Sequence, residues 1–389
     1  MRKVLVGLVA IALLAIGACL AMNWYAARPW KAWQAFARVF VQPDGRIVDR
    51  TANARSTSEG QAYGLFFALV ANDRQAFDAI LAWARDNLAG GDLTGSLPAW
   101  LWGQDEDGTW GVIDANPASD ADLWMAYSLM EAARLWDAPR YEEIGRAILW
   151  RVKAHEVIDT AAGPMLLPAP EGFALKPNGW RFNPSYLPEF QIRYFAMEDP
   201  SGPWSRVWGT YTDMLAQVTP AKVAPDWFEW YPEQGAQQDR KTAGIGSYDA
   251  IRVYLWAGMT PQPTLSPSML DGYAELIRMR GLPPEQVQVT TRGIDGGSPL
   301  GFSAAALPYL HALNEDRLLE KQEKRLIENR IAGDDEGGAE SGSLGDPAHY
   351  YDQVLALFGE GWVAGRFRFG DNGQLETRWE QSCCGVFSR

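Results

Sequence analysis

Three acidic residues stand where the spacing predicts helices to begin: Glu59 in TSEGQAYG, Asp120 in ASDADLWMA and Asp249 in GSYDAIRVYLW. Each lies within two residues of a serine, Ser58, Ser119 or Ser247, of the type that caps helix N-termini, and each is followed by an apolar run poor in charge. Two such carboxyls can divide a hydrolysis between them: one protonates a leaving oxygen while the other activates water, as in the cleavage of glycosidic bonds. The 18 Trp, 14 Tyr and 15 Phe residues supply flat rings on which sugars could stack. Taken singly, each acid also has a simpler reading, because a carboxylate in the first helical turn stabilises the helix dipole by about 0.3–1 kcal/mol. Asp122 fits that simpler reading best. It follows Ser119 at the reach-back position of a capping box, which leaves Asp120 to face outward.

The elements that must position these acids are helices. Apolar spacing and capping residues predict about twelve, near 29–40, 59–70, 74–88, 119–136, 139–154, 185–198, 203–217, 247–258, 266–281, 302–314, 316–331 and 347–359. QAYGLFFALVA after Glu59 and FSAAALPYLHAL from Phe302 contain no Asp, Glu, Lys or Arg, which marks helices buried on every side. PRYEEIGRAILWRVK from Pro139 carries charged stripes and belongs to an outer layer. Even-numbered inner helices alternating with odd-numbered outer ones imply an all-α fold, an (α/α)6 barrel of six hairpins. In such a barrel the inner helices run parallel and their N-termini gather at one face. Glu59, Asp120 and Asp249 all open inner helices, a coincidence that favours a shared site over three separate caps.

Long connections, near 89–118, 155–184 and 218–246, lead into the same face and carry Trp100, Trp102, Trp110, Trp180, Trp227 and Trp230. Loops of that length inside a compact domain are usually functional. For any one of these rings, burial against its own loop competes with sugar contact.

ASDADLWMAYSLMEAARLW, from Ala118 to Trp136, resembles the signature of glycoside hydrolase family 8. STSEGQAYGLFFALVANDRQAFD, LPAWLWG, WRFNPSYLP, SYDAIRVYLW, GFSAAALPYL and the closing FGEGW and RFRF runs extend the resemblance from about Trp30 to Cys383, towards the family's periplasmic members that accompany bacterial cellulose synthases. The resemblance implies an (α/α)6 barrel and an inverting endo-β-1,4-glucanase acting on cellulose, with Glu59 as acid, Asp249 as base and Asp120 binding the sugar at the cleavage point. It also implies that Tyr186 and Arg252 line that subsite, with Trp100, Trp102 and Trp180 as further sugar platforms, and that the cellulose-synthase secretion machinery is a partner. Other β-1,4-glycans, such as chitosan, xylan or mixed-linkage glucan, stay open as substrates, and a non-catalytic glucan-binding role is the alternative of a different kind.

Charge and cysteine usage set the remaining bounds. A net charge of -13 argues against nucleic acid as a partner, because phosphate binding needs a basic face. His155, His311 and His349 fall in unrelated segments, and no metal or other cofactor is expected. Arg2 and Lys3 precede an uncharged apolar run from Val4 to Met22, which reads as an export signal to the periplasm over residues 1–28. Ile16-Gly17-Ala18-Cys19 resembles a lipoprotein cleavage box, so a lipid or membrane anchor is the alternative to a soluble periplasmic form. Residues 29–389 are expected to form a single catalytic domain. Cys383 and Cys384 are adjacent and poorly placed to bridge each other.

Overall fold

A computed structural model of the chain describes Leu13, residues 16–331 and residues 342–381. Most of the apolar run at the start, the Cys383-Cys384 pair and most of the acidic stretch from Gly333 to Gly345 lie outside these residues. Among the described residues no helix is long and apolar enough to cross a membrane.

Among the described residues from Lys31 onward, twelve helices follow one another as the periodicity predicts: α1 (Lys31–Phe40), α2 (Ser58–Val70), α3 (Arg74–Leu88), α4 (Ser119–Trp136), α5 (Pro139–His155), α6 (Glu189–Glu198), α7 (Trp204–Val218), α8 (Ala250–Met259), α9 (Asp271–Arg280), α10 (Leu300–Ala312), α11 (Asp316–Glu328) and α12 (Tyr350–Val363). The even-numbered helices form the inner ring of the barrel. Every residue of α8 is buried, and so is every residue of α2 except Glu59. The odd-numbered helices bury one stripe and expose the other, as α11 does with only Gln322 and Leu326 fully buried. Neighbouring inner helices approach so closely that glycine is required between them. A Cβ on Gly359 of α12 would lie 1.9 Å from the Ala304 carbonyl oxygen of α10.

The periodicity misses two helix starts. Residues 184–186 form a separate 3-10 turn before α6, and Pro267–Leu270 form another before α9. The long connections are also more ordered than loops. Leu101–Gln104 pairs with Trp110–Asp114, Val157–Thr160 pairs with Gly163–Leu166, and a four-stranded antiparallel sheet joins two connections through Arg181 opposite Glu229.

The lumen of the inner ring is filled by aromatic side chains. Side chains four residues apart share a helix face, so Glu59 sits above Tyr63 on α2, Asp120 above Trp124 on α4, and Arg252 above Trp256 on α8. Trp124 packs against Tyr63 at 5.6 Å, Trp256 at 5.4 Å and Phe358 of α12 at 5.2 Å between ring centroids. Beyond them the hairpin formed by Phe367–Phe369 and Leu375–Thr377 closes the other end, with Phe369 stacked on Phe190 of α6 at 3.7 Å. Leu375 N donates to Glu131 Oε2 and Tyr127 Oη donates to the Gly373 carbonyl, both at 2.8 Å, which fixes that hairpin to α4.

Candidate functional site

The N-termini of α2, α4 and α8 converge on one guanidinium. Arg252 Nη1 bonds Glu59 Oε2 and Tyr63 Oη and lies 3.6 Å from Asp120 Oδ2. Its Nη2 donates to Asp249 Oδ1 at 2.8 Å and to Ser185 Oγ at 2.9 Å. Three carboxyls from three inner helices therefore share one cation, itself only 3% exposed. The side chains of Glu59 and Asp249 remain 25% and 29% exposed, so both can be reached from the mouth, while that of Asp120 is 5% exposed and sits deeper.

Burial, reinforced by the charge of Glu59 and opposed by Arg252, pushes the Asp120 carboxyl up to about 8. The expectation that a helix N-terminus would let Asp120 face outward is thus corrected. It is buried at the base of the site, and desolvation outweighs the dipole. Burial also raises the Tyr186 and Tyr63 hydroxyls well above their usual range, which keeps both as neutral hydrogen-bonding groups.

The serine caps predicted from sequence give way to other partners. Thr57, not Ser58, caps α2 by accepting from Gly60 N at 3.0 Å. Ala118 holds the cap position of α4, and Ser119 Oγ instead donates to the Leu167 carbonyl at 2.6 Å. Asp122 does not close a capping box. It is fully buried against Glu156 at the end of α5, which is fully buried too, and the two carboxyls share a hydrogen bond while no other donor among the described residues reaches them. Burial first, then the charge of Asp120, raises Asp122 well above the usual carboxylate range. Burial and the charge of Asp122 do the same for Glu156.

A cleft of about 320 Å³ opens beside the three acids, lined by Glu59, Asp249 and Arg252 together with Tyr248, Tyr350 and Tyr351. Tyr350 and Tyr351 were missed in the sequence because they open α12 without a motif around them, and Tyr248, although inside SYDAIRVYLW, was passed over for its neighbour Asp249. Tyr351 is held by donating its hydroxyl to the Tyr248 carbonyl at 2.9 Å. On another side of Arg252 stands Tyr186, its ring centroid 5.8 Å from the guanidinium carbon and 6.1 Å from that of Trp227. Trp227 in turn stacks on Phe173 with 7° between ring planes and carries Arg181 over its face at 4.0 Å.

Of the predicted sugar platforms, Trp102 is turned into a packed group. Trp110 stacks on it at 5.3 Å, Trp83 meets it edge-on at 5.4 Å, and the Arg46 guanidinium covers its ring at 4.2 Å. Trp110 is the outer ring of that group and is 45% exposed. Trp100 binds the start of α2 through its backbone, its carbonyl accepting from Ser58 N at 3.0 Å. Trp180 lies half-buried in the four-stranded sheet opposite Ala174 and Trp230.

Sequence reading also missed Asp226. From the connection before Trp227, its Oδ1 accepts hydrogen bonds from the N–H groups of Ser247, Asp249 and Ala250 at 2.7, 3.1 and 2.8 Å. The local sequence carries no hint of it, because Ser247 already reads as the cap of that helix.

Residues 5–365 match the family model described as glycosyl hydrolases family 8. The chain is 42% identical over 383 residues to an endoglucanase of Escherichia coli O157:H7, covering 97% of each chain. It is 43% identical over 366 residues to an endoglucanase of Xanthomonas axonopodis pv. citri, covering 92% of this chain and 91% of that one. Among solved structures, the endo-1,4-D-glucanase from Vibrio fischeri ES114 is 38% identical and superposes with a TM-score of 0.81, covering 90% of this chain and 99% of that one.

Proposed function

The chain belongs to glycosyl hydrolases family 8, and on that premise we propose that it hydrolyses internal β-1,4-glucosidic bonds of cellulose in one displacement, with inversion at the anomeric carbon. It is a glycoside hydrolase of the endoglucanase kind. The observation that carries the mechanistic reading is the single Arg252 fork between Glu59 and Asp249. An inverting pair stands roughly 6.5–9.5 Å apart to leave room for a water between base and sugar, and the guanidinium standing between Glu59 and Asp249 keeps the two from meeting directly.

In this reading Glu59 gives its proton to the glycosidic oxygen as the bond to the anomeric carbon breaks. A water attacks that carbon from the opposite face and passes a proton to Asp249. Glu59 is paired with Arg252, and the pair must part for Glu59 to carry the proton. Asp120 binds the hydroxyls of the sugar at the cleavage point, with Tyr186 and Arg252 beside it, and favours a ring distorted towards the oxocarbenium-like transition state. Trp100 and Trp180 remain candidate platforms at the approaches, whereas the packing around Trp102 argues against it. The basic-then-apolar start supports export to the periplasm, where nascent cellulose from a synthase would be the substrate.

Following the anomeric proton by NMR during early hydrolysis of cellopentaose tests the mechanism. The α-anomer should appear first. Initial β-product would mean that Asp249 is a nucleophile and that water attacks only a later glycosyl-enzyme intermediate.

A further inference from the structure

A helix usually satisfies its first free amides with a side chain at its own cap position. In α8 that position is Asp249, and its carboxylate makes no cap bond. It reaches Arg252 Nη2 instead. The vacant duty is taken over from outside the helix, by Asp226 through the three N–H groups that its Oδ1 accepts, one of them the amide of Asp249 itself.

The segment that carries Asp226 is fixed to α8 independently. Asp226 N donates to the Ile245 carbonyl at 2.9 Å. Ala224 N donates to Tyr254 Oη at 2.8 Å, one turn into the helix. Gly246 passes so close that a Cβ there would lie 2.1 Å from the Ala224 carbonyl oxygen. An acceptor held this firmly from both sides sets the backbone at Asp249 to the tolerance that a proton-accepting carboxylate needs.

We propose that Asp226 is the positioning residue of the base: it caps α8 in place of Asp249 and so frees the Asp249 carboxylate for the reaction. The inference rests on Asp249 being the base. The other groups facing Asp249 are Arg252 on the same helix, Asp120 on α4, Tyr186 on the 3-10 turn and Tyr351 on α12. Burial, then the charge of Asp249, pushes Asp226 up to about 7 against the pull of its three amides. Below that pH it is a neutral acceptor that still holds the three amides.

Three variants, assayed with cellopentaose at pH 6, separate the possibilities. Asp226→Asn keeps an acceptor oxygen of the same reach and should lose no more than about threefold in kcat, whereas Asp226→Ala should lose on the order of 10²-fold with KM changed less than about twofold. Asp226→Asn should track the wild type at pH 5–6 and part from it above about pH 7, where the aspartate alone becomes charged. Asp226→Ala with kcat within twofold of wild type, even with a lowered Tm, would reduce Asp226 to a structural cap and overturn the proposal. So would Asp226→Asn as slow as the alanine variant. Should the alanine variant not fold, Asp226→Ser, with its shorter reach, replaces it under the same criteria. Asp249→Asn is the control: if it stays active the base assignment fails, and if it is inactive while Asp226→Ala is normal, only the positioning role fails.

Discussion

Asp120 and Asp122 are two residues apart on α4 and therefore point to opposite sides of the helix, one into a carboxyl cluster with a cation and the other into one without. Asp120 looks towards Arg252, which also binds Glu59 and Asp249. Asp122 looks towards Glu156, the two carboxyls share a hydrogen bond, and among the described residues no ion pair is made by either. Buried charge is tolerated only with a partner; where none is supplied, the group keeps its proton. The contrast teaches what Arg252 is for. It gives Glu59 and Asp249, and more distantly Asp120, a cationic partner at the mouth of the barrel, whereas Asp122 and Glu156 behind it have only each other; even beside the cation, burial leaves Asp120 raised.

The contrast breaks most visibly in the turnover of Glu59→Gln. The amide preserves shape but holds no transferable proton, so reducing-end release from carboxymethylcellulose should fall by ~10²–10⁴-fold with oligosaccharide binding retained. Activity near wild type in a folded variant would remove Glu59 from the chemistry. Arg252→Met comes next, since it withdraws the cation and gives the mouth the same problem as the Asp122–Glu156 pair. Urea unfolding at pH 7 should show a loss of about 3–5 kcal/mol, the range for breaking a buried ion pair. A variant as stable as wild type would show that the three carboxyls do not depend on it.

A smaller effect sharpens the other side. Asp120 and Asp226 are raised to about 8 and about 7, and Asp122 and Glu156 are raised as well. Between pH 4 and pH 8 the folded chain holds protons that the unfolded chain has released. The stability these groups confer is thus complete below the ordinary carboxylate range and is lost as pH rises towards 8. Wild-type Tm should fall across that interval. Glu156→Gln, which removes one of the raised groups, should flatten the fall and melt above wild type at pH 8, with little difference at pH 4. A Tm that instead climbs with pH in the wild type would mean that the Asp122–Glu156 pair is charged in the folded protein.

What was legible in the sequence was whatever local pattern records. The alternation of charge-free and striped helices gave the inner and outer rings, because a helix buried on all sides has no place for Lys or Glu, as α2 and α10 illustrate. The convergence of Glu59, Asp120 and Asp249 followed from that alternation alone. Capping was misread where tertiary contacts intervene. Ser119 is drawn to the Leu167 carbonyl, and Asp122 sits beneath the end of α5, neither of which a capping-box pattern can register. Asp226 was invisible because its three amide partners lie 21 to 24 residues downstream in a connection without periodicity. Trp102 shows the converse. An aromatic residue in a loop reads the same whether it greets a sugar or packs under Arg46.

The aromatic filling of the inner ring decides how a long polymer can meet this protein. Phe66, Trp124, Phe190, Trp256 and Phe358 are each 3% exposed or less, and the Phe367–Thr377 hairpin closes the far end. A strand of glucan cannot be threaded through such a body; it can only be laid across the rim, at any point along its length, and both fragments depart sideways. An internal cut made there, as proposed above, should collapse the viscosity of a long-chain solution well before many new chain ends have accumulated.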